Sequence, residues 1–496
     1  MINILMGFQQ VANVTTLTAN TLGVTLGIIF GALPGLTATM GVALLIPLSF
    51  GMPTVQAFSM LLGTYCGAIY GGAISAILIG TPGTVAAAAT VLEGPKLTAK
   101  GESLKALEMA TWASFLGGSF SGIVLVTCAP LLASVAMNFG PAEYFAVAIF
   151  ALTVVGTLSA GNMIKGLAAT FVGLFLSSIG IDPVSGDFRN TFGLPELFNG
   201  VALVPALVGL FAVSQVILHL EDIFRGEFGI VKYGPLSRNG VSFKEIWRER
   251  INLLRSSLLG TFIGIIPATG ASSACFIAYS EAKRFSNTPE KFGTGTLEGI
   301  AATESSNNAV TGGALIPMMV LGVPGDVLTA ILLGALMIQG IVPGPLLFME
   351  HSTIVNGIFA AFFVSQILIL TLGLISIRVM GKIINVPTPI LMPIVLTLCA
   401  IGSYAINNTS FDLWVMVAFG LLGYLMLKAE FPQPPLLLGI ILGPIAESNF
   451  RRALSISRNE LSVFVTSPMA CIILIISLLI VLKIGWDEIR RSRLTR

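Results

Sequence analysis

The sequence predicts an all-α polytopic membrane protein with roughly ten to twelve transmembrane segments, re-entrant or broken helices, and two inverted repeats. Three observations predict it. The 496 residues are 55% hydrophobic and only 10% charged, with a mean hydropathy of +0.92, against about 25% charged residues in soluble domains. Apolar stretches near the ~20 residues that cross a bilayer recur along the whole chain, separated mostly by short polar connections. Two blocks rich in Gly and Pro appear in the first half and return, in the same order, in the second. Lipid cannot hydrogen-bond the backbone, so spanning elements are helices or closed barrels, and apolar runs this long are helices.

The first repeat is assigned to residues 1–220. Its start, MINILMGFQQ, has no basic segment, and Lys96 is the first Lys or Arg, so a cleaved signal peptide is not expected. Residues 27–38, GIIFGALPGLTA, form the first block, an apolar run broken at Pro34 and Gly35 and followed by Thr37 and Thr39. Residues 71–84, GGAISAILIGTPGT, form the second, broken at Pro82 and Gly83. Apolar segments 113–136, 142–158, 164–179 and 199–220 complete the repeat. The polar stretch 221–255 carries Arg225, Lys232, Arg238, Lys244, Arg248, Arg250 and Arg255, and the positive-inside tendency makes it a cytoplasmic connecting loop. Counting back from it, segment 113–136 runs outward from Lys105, and the loop 182–196, with Arg189 among several acids, lies outside.

The second repeat covers residues 256–465. Residues 260–271, GTFIGIIPATGA, align without a gap to the first block: Gly27, Gly31, Pro34 and Ala38 against Gly260, Gly264, Pro267 and Ala271. Residues 312–326, GGALIPMMVLGVPGD, return the second block, with Gly322-Val323-Pro324-Gly325 against Gly80-Thr81-Pro82-Gly83, and Asp326 where the first copy has Thr84. The spacing from the Gly-Gly pair to the Pro-Gly pair differs by one residue. Segment 354–377 ends at Arg378 and Lys382, so it runs inward, opposite to its counterpart 113–136; opposite directions in matched segments define an inverted repeat. That inversion sends 435–446 outward and places Arg451, Arg452 and Arg458 outside against the charge rule, so this segment is either re-entrant or an exception. Residues 466–496 form a C-terminal transmembrane helix and a basic tail, held inside by Lys483, Arg490, Arg491, Arg493 and Arg496.

Pro removes a backbone donor and Gly permits backbone geometries closed to other residues, so together they break helices. A break at membrane depth exposes N–H groups suited to carboxylates and carbonyls suited to Na⁺; ordinary kinks are the plain alternative. The substrate-binding candidates are accordingly Pro34, Gly35, Thr37, Ser75, Thr81, Pro82, Gly83, Thr84, Ser272, Ser273, Pro324 and Gly325. Their hydroxyls otherwise bond to their own helix backbone. Beside Glu304 stand Ser305, Ser306, Asn307 and Asn308, which with Asp326 can offer oxygen to a hard cation. These five are the cation-coupling candidates, and helix capping at an aqueous boundary, with Glu304 in solvent, is the competing reading. The matching first-half region has no acid, which puts the coupling cation in the second half.

Other classes lack their signatures. The formal charge of +2 is dispersed, unlike a nucleic-acid surface. There is no GxxxxGK[ST], HExxH or GxSxG motif, nor a series of arginines like a voltage sensor. Five scattered cysteines suggest no disulfide framework, and His219 and His351 read as interfacial residues. No cofactor or metal is expected beyond a coupling cation, Na⁺ or H⁺. A passive anion channel and a membrane-embedded lipid or acyl enzyme are the alternatives, disfavoured by the absence of a filter motif and of a nucleophile–base pair.

The blocks GALPGLTATMGVALLIPLSF (31–50), GTYCGAIYGGAISAILIGTPGT (63–84), GTFIGIIPATGA (260–271), ESSNNAVTGGALIPMMVLGVPG (304–325) and QGIVPGP (339–345) resemble the large membrane subunit, or permease, of the bacterial tripartite tricarboxylate transporters. The resemblance covers nearly the full length. It implies a multi-pass secondary transporter of the bacterial inner membrane that works with a small membrane subunit and a periplasmic solute-binding protein. It further implies import of tricarboxylates such as citrate, or related organic acids, driven by a cation gradient. In that setting the segments 81–84 and 323–326 are expected to meet near the membrane midplane.

Overall fold

The computed structural model describes residues 4–33, 36–158, 163–182, 185–225, 239–267, 270–383 and 388–494. The first half contains α1 (Ile4–Val11), α2 (Val14–Ala32), α3 (Ala38–Ser49), α4 (Thr54–Ile79), α5 (Gly94–Ala99), α6 (Ser103–Ala136), α7 (Pro141–Leu158), α8 (Met163–Ser177), α9 (Leu203–Val208) and α10 (Ser214–Phe224). The second contains α11 (Phe243–Arg248), α12 (Arg250–Ile265), α13 (Gly270–Phe285), α14 (Leu297–Leu321), α15 (Val327–Ile338), α16 (Leu347–Glu350), α17 (Ser352–Ile383), α18 (Thr388–Asn407), α19 (Ser410–Lys428), α20 (Gln433–Ile456), α21 (Val463–Thr466) and α22 (Pro468–Leu494). Strand is confined, among the described residues, to the antiparallel pair Gly180–Ile181 and Phe188–Arg189. Among the described residues six helices are long and apolar enough to span a membrane, and six more apolar helices are shorter. The protein is a multi-pass helical membrane protein. At 1.5 Å per residue the 12-residue α3 and α15 reach about 18 Å, short of a ~30 Å hydrocarbon core.

Small residues decide how the central helices pack. On α2, Gly23, Gly27 and Gly31 recur every fourth position, as do Gly63, Gly67 and Gly71 on α4. A Cβ at any of the six would collide with the backbone of the facing helix. Between membrane helices there is little hydrophobic driving force, and van der Waals contact at this close approach replaces it. The contacts advance together, Gly23 over Met60, Gly27 over Thr64 and Gly31 over Ala68, so α2 and α4 are parallel and α3 returns between them. In the second half α12 and α14 pack the same way, with Gly260 over Ser306, Gly264 over Val310 and Gly313 against Thr261.

These contacts correct the alignment read from sequence. Gly27–Thr64 matches Gly260–Ser306, Gly31–Ala68 matches Gly264–Val310, and Gly83 against Gly31 matches Gly325 against Gly264. The matched pairs put Gly71 with Gly313 rather than Gly312, and the one-residue gap in the second block disappears. Gly312 has a different use, giving room to Ser121 of α6.

The helix directions follow from which residues touch. Thr111 of α6 lies against Gly373 of α17 while Gly122 lies against Phe362, so α6 and α17 are antiparallel. Gly173 of α8 packs on Leu436 of α20, and Ser177 on Gly443, so these two are parallel. α20 is a continuous 24-residue helix running in the direction of α8, and its far end carries Arg451 to the loop after α8. There Arg451 Nη2 lies 3.0 Å from Asp182 Oδ2 and 2.8 Å from Glu447 Oε1, and Arg189 Nη1 lies 2.7 Å from Glu447 Oε1. Arg451 therefore shares a face with the 182–196 loop, its charge offset by two carboxylates.

Candidate functional site

The two helix breaks of the second block are built alike. α4 and α14 end at Gly80 and Gly322 in the left-handed region, φ 71° and 69°, where a Cβ would be strained. The chain then doubles back beside the helix it has left: the Gly83 N–H bonds to Gly72 O at 3.3 Å, and Gly325 rests on Gly264 and Ala314. Each returning segment starts a new helix with a side-chain cap. Thr84 Oγ1 accepts from the Ala87 N–H at 3.3 Å, and Asp326 Oδ1 accepts from the Thr329 N–H at 2.7 Å. Thr37 does the same for α3, accepting from the Met40 N–H at 3.1 Å and sharing a hydrogen bond with Thr39 at 2.9 Å.

Each break engages the opposite half. Ala86, just past the first break, packs among Ile263, Ala271, Ala274, Val310 and Ala314 of the second half, and α15, just past the second, packs on α3 of the first. No hydrogen bond joins 81–84 to 323–326 among the described residues. The polar links cross between halves elsewhere: Tyr65 OH donates to Asp326 Oδ2 at 2.7 Å, and Thr90 Oγ1 donates to Glu304 Oε1. The environments also differ. Thr81 and Pro82 are exposed, whereas Val323, Pro324 and Gly325 are buried.

Between these links, on the middle of α14, lies a wholly buried polar core. Glu304, Ser305, Ser306, Asn307 and Asn308 are all at 0% exposure, which removes the reading that puts Glu304 in solvent. Asn307 Nδ2 donates to Glu304 Oε2 at 3.4 Å, and Asn308 Nδ2 donates to Ser114 Oγ at 2.7 Å and to Glu304 O at 3.1 Å. Ser305 Oγ is turned back on its own helix, donating to Ala301 O at 2.7 Å. Ser306 Oγ, Asn307 Oδ1 and Asn308 Oδ1 have no hydrogen-bond partner among the described residues. No Lys or Arg forms an ion pair with Glu304 among the described residues. Buried polar atoms are nearly always paired, and a buried carboxylate without a counter-charge is costly. A buried carboxylate on one helix segment with several unpaired oxygens has the chemistry of a site for a hard cation or a proton.

The other sequence candidates distribute unevenly around this core. Asp326 is engaged as a helix cap: Oδ1 takes the Thr329 amide and, at 2.8 Å, its hydroxyl, while Oδ2 takes Tyr65. Ser75 is buried beside Gly83 and donates to Gly72 O at 3.3 Å. Ser272 is half-buried and Ser273 exposed in the first turn of α13. Pro34 and Gly35 lie outside the described residues. No group of three or more His, Cys, Asp or Glu that could hold a metal occurs among the described residues.

The Tripartite tricarboxylate transporter TctA family matches residues 17–438. The chain belongs to this family. TctA-family proteins are the large permease component of tripartite tricarboxylate transporters. The chain is 36% identical over 491 residues to an Agrobacterium vitis protein described as an uncharacterized 52.8 kDa protein in the TAR-I ttuC' 3' region, covering 99% of this chain and 97% of that one. It is 37% identical over 234 residues to a second A. vitis protein, from the TAR-II ttuC' 3' region, covering 47% of this chain and 97% of the relative. No solved structure matches the chain.

The fold of this TctA-family protein also uses a carboxylate that sequence reasoning missed. Glu93, at 0% exposure, accepts from Tyr279 OH at 2.6 Å, the Gly293 N–H at 2.5 Å, the Gly295 N–H at 2.7 Å and the Thr296 N–H at 3.0 Å. Gly293 and Gly295 have φ of 85° and 97°, which lets three amides of this short loop turn toward one anion. Lys96 Nζ donates to Gly293 O beside it. The sequence signal was the pair of glycines in FGTGT, residues 292–296, which reads only as a turn until an acid 200 residues away is placed over it.

Proposed function

We propose that this chain is the permease subunit of a binding-protein-dependent secondary transporter that imports tricarboxylates or related organic acids into a bacterial cell with a cation gradient. Its partners on this reading are a small membrane subunit and a periplasmic solute-binding protein. Family membership supports the transport role. The observation that carries the coupling step is the buried set on α14, where, among the described residues, Glu304 lacks a cationic partner and Ser306, Asn307 and Asn308 each keep an oxygen unpaired. The coupling ion, Na⁺ or H⁺, binds there. The doubled-back segments 81–84 and 323–326 act as the carboxylate-facing backbone, with Thr37, Ser75, Ser272 and Ser273 as supporting hydroxyls.

The two halves are read as inverted repeats. Matched glycine contacts within each half support this, as does the antiparallel course of α6 and α17. Alternating access then follows from moving one part of the pair against the other, and the links Tyr65–Asp326 and Thr90–Glu304 are the polar contacts such a movement would have to respect.

The test is citrate uptake into proteoliposomes containing the permease and small subunit, with the binding protein outside and a Na⁺ or H⁺ gradient imposed. Uptake should follow one of the two gradients and require the binding protein. Equal downhill flux with and without a gradient would instead describe a passive channel. Asn308→Ala should raise the cation concentration for half-maximal uptake by roughly ten-fold, the effect of losing one buried polar ligand. Asp326→Asn keeps an effective helix cap and so reports on charge rather than on folding. Unchanged cation dependence in both variants would remove the second-half ion site.

A further inference from the structure

A cavity of ≈ 610 Å³ opens at the end of α14 and has no role in the site described above. One side is formed by Gly322, the turning residue of the second break, and by the loop 340–347 with its Pro343-Gly344-Pro345 sequence. The other is formed by Tyr144 of α7 and by Ser448, Asn449 and Arg452 of α20, with Glu350 and His351 also in the wall. Its volume falls in the ~300–1,000 Å³ range of small-molecule sites.

The arginines on α20 are the ones the positive-inside tendency does not explain. Arg451 has a structural reason to be there, being paired with Asp182 and Glu447. Arg452, one position on, makes no ion pair among the described residues, although Glu350 stands in the same cavity wall. The cavity thus has an exposed guanidinium that no carboxylate pairs with among the described residues, on the face that carries the 182–196 loop. Charge reading puts that loop on the extracytoplasmic side. Asn449 Nδ2 bonds Ile445 O at 2.8 Å, which uses one of the two hydrogens of that amide and leaves the second as a donor.

We propose that this cavity is the extracytoplasmic acceptance site for the carboxylate substrate, with Arg452 as its principal anion ligand and the Gly322 turn as its inner boundary. A guanidinium is matched to carboxylate by a planar fork of donors. Substrate received here lies against the turn that leads into the doubled-back segment 323–326. The inference rests on the carboxylate-import reading and adds to it where the anion is first held.

The test uses the full chain in lipid nanodiscs for binding and the complete three-component system in proteoliposomes for uptake. Citrate is the probe, and uncharged triethyl citrate is the control. Arg452→Gln should weaken citrate binding about ten-fold or more, the usual effect of losing a charge-assisted hydrogen bond. It should raise the KM for uptake similarly, with maximal rate near wild type. Arg452→Lys should recover part of the loss, Glu350→Gln should tighten citrate, and Arg458→Gln, outside the cavity, should match wild type. Triethyl citrate should bind neither form. Citrate binding and KM unchanged in Arg452→Gln, in a system whose wild type transports citrate, would overturn the acceptance site and leave the function reading standing. Weakening seen only when the binding protein is present would assign Arg452 to acidic side chains of that partner and likewise overturn it. Absence of carboxylate uptake by the wild-type system, for any tricarboxylate or dicarboxylate offered, would overturn both.

Discussion

Replacing Glu93 by Ala should loosen the contact between the first-half break and the second half. The carboxylate accepts one hydroxyl and three backbone amides, all at 2.5–3.0 Å. Hydrogen bonds to a charged group contribute about 1.5–3 kcal/mol each, so four at face value would exceed 6 kcal/mol. Gly293, Gly295 and Thr296 are only half-buried, so water can reach their amides once the side chain is gone. We therefore expect a loss of about 3 kcal/mol, at the upper end for a single substitution. For a chain this size that is a fall in melting temperature of roughly 3–6 °C. Glu93→Gln should lose a comparable amount despite its shape, because its amide NH₂ must face N–H donors. Tyr279→Phe, which removes one donor, should cost about 1 kcal/mol. The assay is thermal unfolding of detergent-solubilised protein followed by fluorescence-detected size exclusion at one fixed heating protocol. Melting of Glu93→Ala at the wild-type temperature would refute the claim that this anion site ties the halves together.

Two further outcomes are expected by the same measurement. Gly83→Ala and Gly325→Ala should each destabilise by about 1–3 kcal/mol, since the new Cβ would collide with the carbonyl of Gly31 or Gly264. Gly334→Ala should be nearly neutral, because its Cβ would meet no backbone but only the side-chain ends of Leu207, Leu203 and Ile441 at 3.1, 3.4 and 3.8 Å; equal melting of all three variants would contradict the packing argument. The carboxyl of Glu249, just before α12, is held above the ordinary range mainly by burial, with Glu298 adding to it and Asn252 and Arg248 opposing. A raised folded-state value favours the protonated form, so this stability is complete in acid and is lost as pH rises through the folded value. Glu249→Gln should melt higher than wild type at pH 7, with the difference vanishing toward pH 4; a difference that grows in acid would reverse the assignment.

Much of the architecture was legible because it depends on local chemistry. The breaks at Gly80–Thr84 and Gly322–Asp326 follow from what Pro and Gly do to a helix anywhere, and the structure turns the chain at both glycines. Whether Asp326 caps a helix or faces an ion was open in sequence, and its capping bonds with Thr329 answer the first half of that question. The register of the second block was misread by one residue because GG occurs in both copies, while only the contacts show that Gly71 and Gly313 do the same work.

The sequence by itself determined that the chain is a multi-pass helical membrane protein with a twice-used breaking device and a polar cluster on one apolar segment, since lipid leaves few other arrangements for such composition. Only the tertiary structure decided which groups answer one another across the chain. Thr90 and Glu304 are 214 positions apart, Tyr65 and Asp326 261, and Arg451 and Asp182 269. Such pairings depend on how close glycine-lined helices let two backbones come, and on the directions in which those helices run. Neither quantity is present in any local stretch of residues.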